Sequence, residues 1–284
     1  MEKIVYVNGD FVPQSEAKVS VFDRGFLFGD GVYEVIPVLN SRLIESQHAV
    51  TRLDRSLNEI GMAWPCRKDE YLLILEELRA RNEIVEGAVY MQVTRGVAER
   101  DFAFPKDTPT SFVAFASSRK LIDNPLAKTG VSVVSVPDLR WKRRDIKSIN
   151  LLAQCIAKQE ATSRGAFEGW MHEDGFVTEG ASSSAYIVQA GKVITRPLSR
   201  SILPGIRRKV ILQLIADHGI ELEERPFSLE EAGQADEAFL SSATTLVMPV
   251  VSIDGKPVAD GAPGPVTQLM RKLYIEMISK EANS

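Results

Sequence analysis

The chain reads as an α+β protein of two domains, and three observations lead there. Its 284 residues suit one large domain or two modest ones, with length enough to bury a sizeable core. Strand-like and helix-like segments mix without a regular βαβ alternation, which argues against a doubly wound parallel sheet. A polar stretch carrying Pro125 and Gly130, KLIDNPLAKTG, interrupts the pattern at residues 120–130. It is the expected linker between a small domain over 1–119 and a larger one over 131–284.

The elements follow in order. KIVYVNGDFV alternates around Asn8-Gly9, a pair that favours a type I′ hairpin turn. HAVTRLDRSLNEIG places Val50, Leu53, Leu57 and Ile60 at helical spacing, with Gly61 as the stop. DEYLLILEELRARNE is a second helix, and GAVYMQVTRG and TSFVAFASS are strands. Beyond the linker, GVSVVSVPDLRW alternates as a strand. SINLLAQCIAKQEATSRG then puts Leu151, Leu152, Cys155 and Ile156 on what should be one buried helical face. EGWMHEDGFVTEG and AYIVQAGKVITRP read as hairpins turning at Asp174-Gly175 and Ala190-Gly191. LPGIRRKVILQLIADHG is a helix punctuated by Pro204 and Gly219. EAFLSSATTLVMPVVSIDGKPV supplies further strands with a turn at Asp254-Gly255, and TQLMRKLYIEMISKEA closes as an amphipathic helix.

Composition narrows the function classes. A formal net charge of −4 gives no reason to expect a nucleic-acid surface, although basic residues cluster at 142–144 and 207–209, which suits small anions. Cys66 and Cys155 are far apart, and His48, His172 and His218 are scattered, so neither a disulfide framework nor a metal site is expected. The opening MEKIVYVNGD has no secretory apolar region, and no apolar run is long enough to span a bilayer. The expectation is a soluble protein of a reducing compartment, the cytoplasm.

Several short segments carry candidate chemistry. Lys147, in RRDIKSINLL, stands where strand-like sequence gives way to helix-like sequence. It is either a solvated cation or a reactive amine. The preceding Lys142, Arg143 and Arg144, together with partial burial beside Ile149–Leu152, would favour the uncharged, nucleophilic form. SILPGIRR opens a helix whose exposed amides at Gly205, Ile206 and Arg207 could seat a phosphate, or could simply begin a helix. SSATT at 241–245 offers hydroxyls and amides for the same task, or a plain strand-end turn. VTEGASSS sets Glu179 before a small flexible turn where backbone can approach a flat ligand. RGFLFGDGVYEV is glycine-rich but matches neither GxGxxG nor a P-loop; Phe26, Phe28 and Val32 read as core.

Taken together and in order, RGFLFGDGVYEV, RLDRSLNEI, VTRGVAERDF, RWKRRDIKSINLLAQCIAKQEA, VTEGASSS, SILPGIRR and SSATTLVMPV resemble the class IV pyridoxal-phosphate transaminases, most of all their D-amino-acid (D-alanine) branch. The resemblance spans about residues 5 to 260. It implies the type IV fold: a small α/β N-terminal domain and a larger C-terminal domain with a pseudo-barrel sheet, with pyridoxal 5'-phosphate in the cleft they form and a homodimer as the assembly. It implies that Lys147 forms the internal Schiff base and Arg52 pairs with the cofactor phosphate. The amides after Gly205, at Ile206 and Arg207, with Thr244 nearby, would complete the phosphate cup. Glu179 would keep the pyridine nitrogen protonated, Leu203 would pack on the ring, and Ser182 and Ser183 would line the cofactor. Tyr33 and Arg100 match positions that grip the substrate α-carboxylate. The reaction implied is a ping-pong transfer of an amino group from a D-amino acid to a 2-oxo acid.

The sequence departs from that branch at Phe102, where a histidine is usual, at Ala243, where a threonine is common, and at Pro37, which is often basic. Phe102 shifts the expected donors towards bulkier or less polar D-amino acids, or towards primary (R)-amines. Branched-chain L-amino-acid transaminases usually show a YIRP-type segment where this chain reads YMQVTRG, and aminodeoxychorismate lyases lack the Arg100-type motif. A non-catalytic pyridoxal-phosphate binder would not need both Lys147 and Arg100.

Overall fold

The computed structural model describes residues 2–284 and divides into two compact units. The first takes the chain up to Lys120 together with Ile146–Asn150 and Ile278–Ser284; the second takes Leu121–Asp145 and Leu151–Met277. The chain expected to form one continuous larger domain is thus divided by packing, because two short stretches of it count with the first unit.

In the first unit, β1 (Ile4–Val7), β2 (Asp10–Pro13), β3 (Gly31–Leu39), β4 (Arg42–Leu43), β5 (Gly87–Thr94) and β6 (Ser111–Ser118) form one antiparallel sheet in the order β2-β1-β6-β5-β3-β4. The β1–β2 turn takes positive φ at both Asn8 and Gly9, as a type I′ hairpin requires. Three helices belong here: α1 (Arg24–Phe28), α2 (Ser46–Glu59) and α3 (Lys68–Arg81). The buried stripe of α2 runs through Ala49, Leu53, Ser56 and Leu57, so it is rotated from the Val50–Ile60 line that spacing predicts. That of α3 runs through Tyr71, Ile74, Leu75 and Leu78.

One expectation fails in α1. Phe26 is 72% exposed, while the helix buries Arg24, whose guanidinium ties to Asp30 and to backbone carbonyls. A helix of five residues has room for one inward side chain, and here ion pairing outcompetes an apolar ring for it.

The second unit contains α4 (Leu126–Thr129), β7 (Val131–Pro137), α5 (Leu152–Ser163), β8 (Glu168–Glu173), β9 (Phe176–Gly180), β10 (Ser184–Gln189), β11 (Lys192–Thr195), α6 (Ile206–Asp217), β12 (Leu222–Glu224), α7 (Leu229–Gly233), β13 (Glu237–Ser242), β14 (Leu246–Ile253) and β15 (Lys256–Pro257). The last helix, α8 (Pro265–Asn283), begins here and counts with the first unit from Ile278 onward. The sheet runs β12-β11-β10-β13-β14-β7-β8-β9, with β15 paired to β14. The β11–β12, β14–β7 and β7–β8 pairs are parallel and the rest antiparallel. Edge strand β9 runs through Ala181–Ser183 straight into central strand β10, and a Gly180 N–H to Ser183 carbonyl bond closes that bend. The sheet therefore curls into a half-barrel over a core that includes Val133, Trp170, Ile187, Leu240 and Met248.

The helix after β7 starts at Leu152, and its expected buried face points outward: Leu152 is 70% and Ile156 51% exposed, with Cys155 exposed beside them. The inward residues are Ala157 and Ala161, packed on Val134, Val136 and Met171. The reason is steric. A Cβ at Gly169 would lie 2.9 Å from the Ala157 carbonyl oxygen, so this helix approaches β8 too closely for larger side chains. The 120–130 stretch also holds more structure than a bare linker: Leu121 is buried and α4 lies within it. Among the described residues no helix is long and apolar enough to cross a membrane, and no acidic, histidine or cysteine group is arranged to hold a metal.

The tight fit beneath α5 predicts that Ala161→Leu lowers unfolding free energy by about 1–3 kcal/mol, as overpacking of a filled core does. Chemical denaturation followed by circular dichroism measures it, and an unchanged midpoint would contradict the packing described.

Candidate active site

In the first unit the site is built around β3. Lys147 lies on an irregular segment clamped to that strand. Its carbonyl accepts from the Tyr33 N–H at 2.9 Å, the Ile149 N–H donates to Gly31 at 3.1 Å, and Ser148 bridges Val32. Its own N–H reaches the Ser56 hydroxyl on α2 at 3.4 Å. Backbone ties on both sides thus fix where the side chain starts. The amine sits 4.2 Å above the Tyr33 ring centroid, a cation–π distance, and makes no hydrogen bond or ion pair among the described residues. Tyr33 in turn stacks on Tyr90. Two of the three cations expected to act on Lys147 are engaged elsewhere: Arg143 pairs with Asp145, and Arg144 with Asp138 and Glu173.

Arg52 lies one helical turn before Ser56, on the same face of α2. Its Nε and Nη2 grip the two oxygens of buried Glu34 on β3, each at 2.7 Å, in a side-on bidentate pair. Arg100 and Phe102 occupy the loop after β5. Arg100 lies over the rings of Phe28 and Phe102, and Phe102 is 79% exposed. Arg24 holds this loop from beneath through the carbonyls of Asp101 and Ala103, and shares Asp30 with Arg95.

In the second unit Glu179, at the end of β9, is buried. Arg140 donates to its Oε1, and the Leu203 N–H donates to both oxygens at 3.1 and 3.2 Å. Burial pushes this carboxyl up from its ordinary value; Arg140 and the Leu203 amide pull it back, Asp138 pushes it further up, and the net direction is upward. Arg140 also clasps Asp138 through Nε at 3.0 Å and Nη2 at 2.7 Å. For Asp138, burial acts upward, but Arg140, the Thr178 hydroxyl and Arg144 outweigh it and hold the carboxyl below its ordinary value. Glu179 is therefore oriented by an arginine that is itself oriented by a second carboxylate.

Ser182 and Ser183 face a different acid. The Ser182 N–H and hydroxyl donate to Oε1 of buried Glu168 at 2.8 and 2.5 Å, and the Ser183 hydroxyl donates to Oε2. Gly205 caps α6, which starts at Ile206 and Arg207. A Cβ at Gly205 would come within 2.9 Å of the Ser184 hydroxyl, so backbone is kept bare there. In the turn after β13, which includes Ala243, the Thr244 and Thr245 N–H groups turn to the Ser242 hydroxyl at 3.3 and 3.2 Å.

Asp138, Arg140, Glu34 and Glu168 escaped sequence reasoning, which weighed charged residues singly. The available signal was the Asp-x-Arg alternation at the end of an apolar strand, and acids inside otherwise apolar strand runs.

The family model for class IV amino-transferases matches residues 31–253, more than half of the chain. A D-alanine aminotransferase of Staphylococcus aureus (strain COL) is 42% identical over 284 residues, covering 99% of this chain and all of that one. One from Bacillus licheniformis is 39% identical, covering 93% of each. Among solved structures, the branched-chain amino acid aminotransferase of Escherichia coli superposes with TM-score 0.90 at 24% identity, covering 98% and 95%; that likeness is one of fold. The branched-chain aminotransferase of Thermoproteus uzoniensis gives 0.85 at 27% identity with the same coverage.

Removing one member of the buried Arg140–Glu179 pair leaves an uncompensated charge. In cofactor-free protein, Arg140→Gln is expected to lose about 3–5 kcal/mol at pH 8. A carboxyl raised in the folded state favours folding at low pH and loses that contribution as pH rises. The deficit should therefore shrink when denaturant titrations are repeated at pH 5; a deficit that grows there contradicts the pairing.

Proposed function

The chain belongs to the class IV aminotransferases, and from that premise we propose that it moves the amino group of a D-amino acid to a 2-oxo acid, with pyridoxal 5'-phosphate as cofactor and Lys147 as the catalytic amine. The observation that carries the assignment of Lys147 is its side chain: a half-buried amine, rigidly rooted, with no acid partner among the described residues. An amine locked in an ion pair is occupied; this one has no such partner to break before covalent attachment.

The residues fit the cofactor. Glu179, buried and raised, gains from an N–H donor such as a protonated pyridine nitrogen, and Arg140 and the Leu203 amide fix where its oxygens point. Leu203 is the side chain for one face of the ring, and Ser182 and Ser183, braced on Glu168, form the turn beside it. In the second unit the start of α6 at Gly205, Ile206 and Arg207 and the Ala243–Thr244 turn suit a dianionic phosphate, and in the first unit Arg52, aimed by Glu34, is a cation of the type that pairs with one. When bound, pyridoxal phosphate supplies an electron sink that makes the substrate Cα–H acidic. Lys147 then carries that proton, and Tyr33 and Arg100 orient the substrate carboxylate.

Phe102 favours a second donor class. An exposed ring beside Arg100 replaces a polar contact with an apolar one, which suits less polar D-amino acids and primary (R)-amines. A homodimer belongs to the same proposal, supported by the exposed apolar face of α5, and so does a cytoplasmic site, supported by two free cysteines.

Single half-reactions followed by cofactor absorbance test the activity. D-alanine should convert the cofactor quickly; conversion by L-leucine with none by D-alanine would overturn the reading, and (R)-1-phenylethylamine reports the second donor class. Lys147→Ala should abolish the absorbance shift that marks covalent attachment. Arg100→Ala should lower kcat/KM for D-alanine by roughly 10- to 150-fold, since hydrogen bonds to charged groups are worth about 1.5–3 kcal/mol.

A further inference from the structure

The turn from Ser242 to Thr245 joins β13 to β14, and the next residue, Leu246, is buried with φ of 56°. A branched, non-glycine side chain rarely adopts that left-handed backbone, so something outside the residue must hold it there. The holder is Arg271 of α8. Its Nη1 donates to the Thr245 carbonyl at 3.2 Å and to the Val247 carbonyl at 2.6 Å, the residues on either side of Leu246. Its Nη2 donates to the carbonyls of Leu121 and Ile122 at 3.1 and 3.0 Å. The guanidinium therefore staples the turn to the start of the second unit.

Its charge is unusual in this chain. Arg24, Arg52, Arg95, Arg140, Arg144 and Arg208 each face a carboxylate. Arg271, equally buried, faces only carbonyl oxygens among the described residues. Burial alone pushes its pKa down, with no anion to offset it, yet arginine keeps its proton in such settings. The result is a whole positive charge against the outgoing limb of the turn. Because a peptide is planar and trans, pinning the Thr245 carbonyl also fixes the direction of the Leu246 N–H, where the turn passes into β14.

We propose that Arg271 is a positioning residue for the cofactor phosphate: it locks the Ser242–Thr245 turn in the shape that presents the Thr244 hydroxyl, and leaves an unbalanced cation behind it. The inference rests on the assignment of that turn to the phosphate. Arg271 touches neither cofactor nor substrate; its effect passes through the turn.

The test compares pyridoxal 5'-phosphate with pyridoxal, which lacks the phosphate, binding to cofactor-free protein by fluorescence quenching. In R271Q the dissociation constant for pyridoxal 5'-phosphate should rise by about tenfold or more, while that for pyridoxal stays within about twofold. R271K, which keeps the charge with fewer donors, should fall between R271Q and wild type. Inorganic phosphate should raise the melting temperature of cofactor-free wild type more than that of either variant. Equal weakening towards both ligands, or a phosphate preference in R271Q and R271K matching wild type, overturns the role of Arg271. A wild type that binds pyridoxal as tightly as its phosphate ester, and gains nothing from inorganic phosphate, instead removes the assignment of the turn.

Discussion

The backbone clamp that joins Ile146–Asn150 to β3 is the constraint from which the first unit's chemistry follows. It needs two peptides to meet at close range, and Gly31 makes that possible: a Cβ there would lie 2.6 Å from the Val93 carbonyl oxygen and 2.9 Å from the Ile149 side chain. With Gly31 bare, the Ile149 N–H closes on it and the Lys147 carbonyl closes on the Tyr33 amide. An amine on a mobile loop would spend rotational freedom each time it met a partner; one rooted in a sheet has already lost that freedom on folding. Tyr33 serves twice, as the backbone donor to Lys147 and as the ring beneath its amine.

Several buried ions in both units are each accompanied by one that orients it, with Arg271 as a departure from that pattern. Glu34 orients Arg52, Asp138 orients Arg140, and Asp30 serves both Arg24 and Arg95. Bidentate geometry matters because two parallel bonds fix a plane, where one fixes only a direction. The cost of desolvating these groups is met locally, and the return is precision in where the remaining donors and acceptors point.

Much of this was legible beforehand, and the part that was not has a physical cause. Asn-Gly, Asp-Gly and Ala-Gly turns, the existence of α3 and the limits of α6 are local matters of backbone preference, and all appear as the sequence predicts. The orientation of α5 did not follow, because the choice between a leucine face and an alanine face is made by how close the neighbouring strand comes, and that distance is set by Gly169, outside the helix. Phe26 went the wrong way for a related reason: burying Arg24 depends on Asp30 and on a loop some 77 residues later. Among the candidate residues, Lys147, Glu179, Arg52 and Arg100 were named from motifs. Glu34 and Arg140, the partners of Arg52 and Glu179, were not, since a pair is invisible until the chain brings its halves together.

The Arg140–Glu179 contact also bears on how the protein matures. A lone buried acid would have to wait for a positively charged ligand before its surroundings could close, tying folding to vitamin supply. Here the chain carries its own counterion, so the polypeptide can reach its finished shape first and be loaded afterwards.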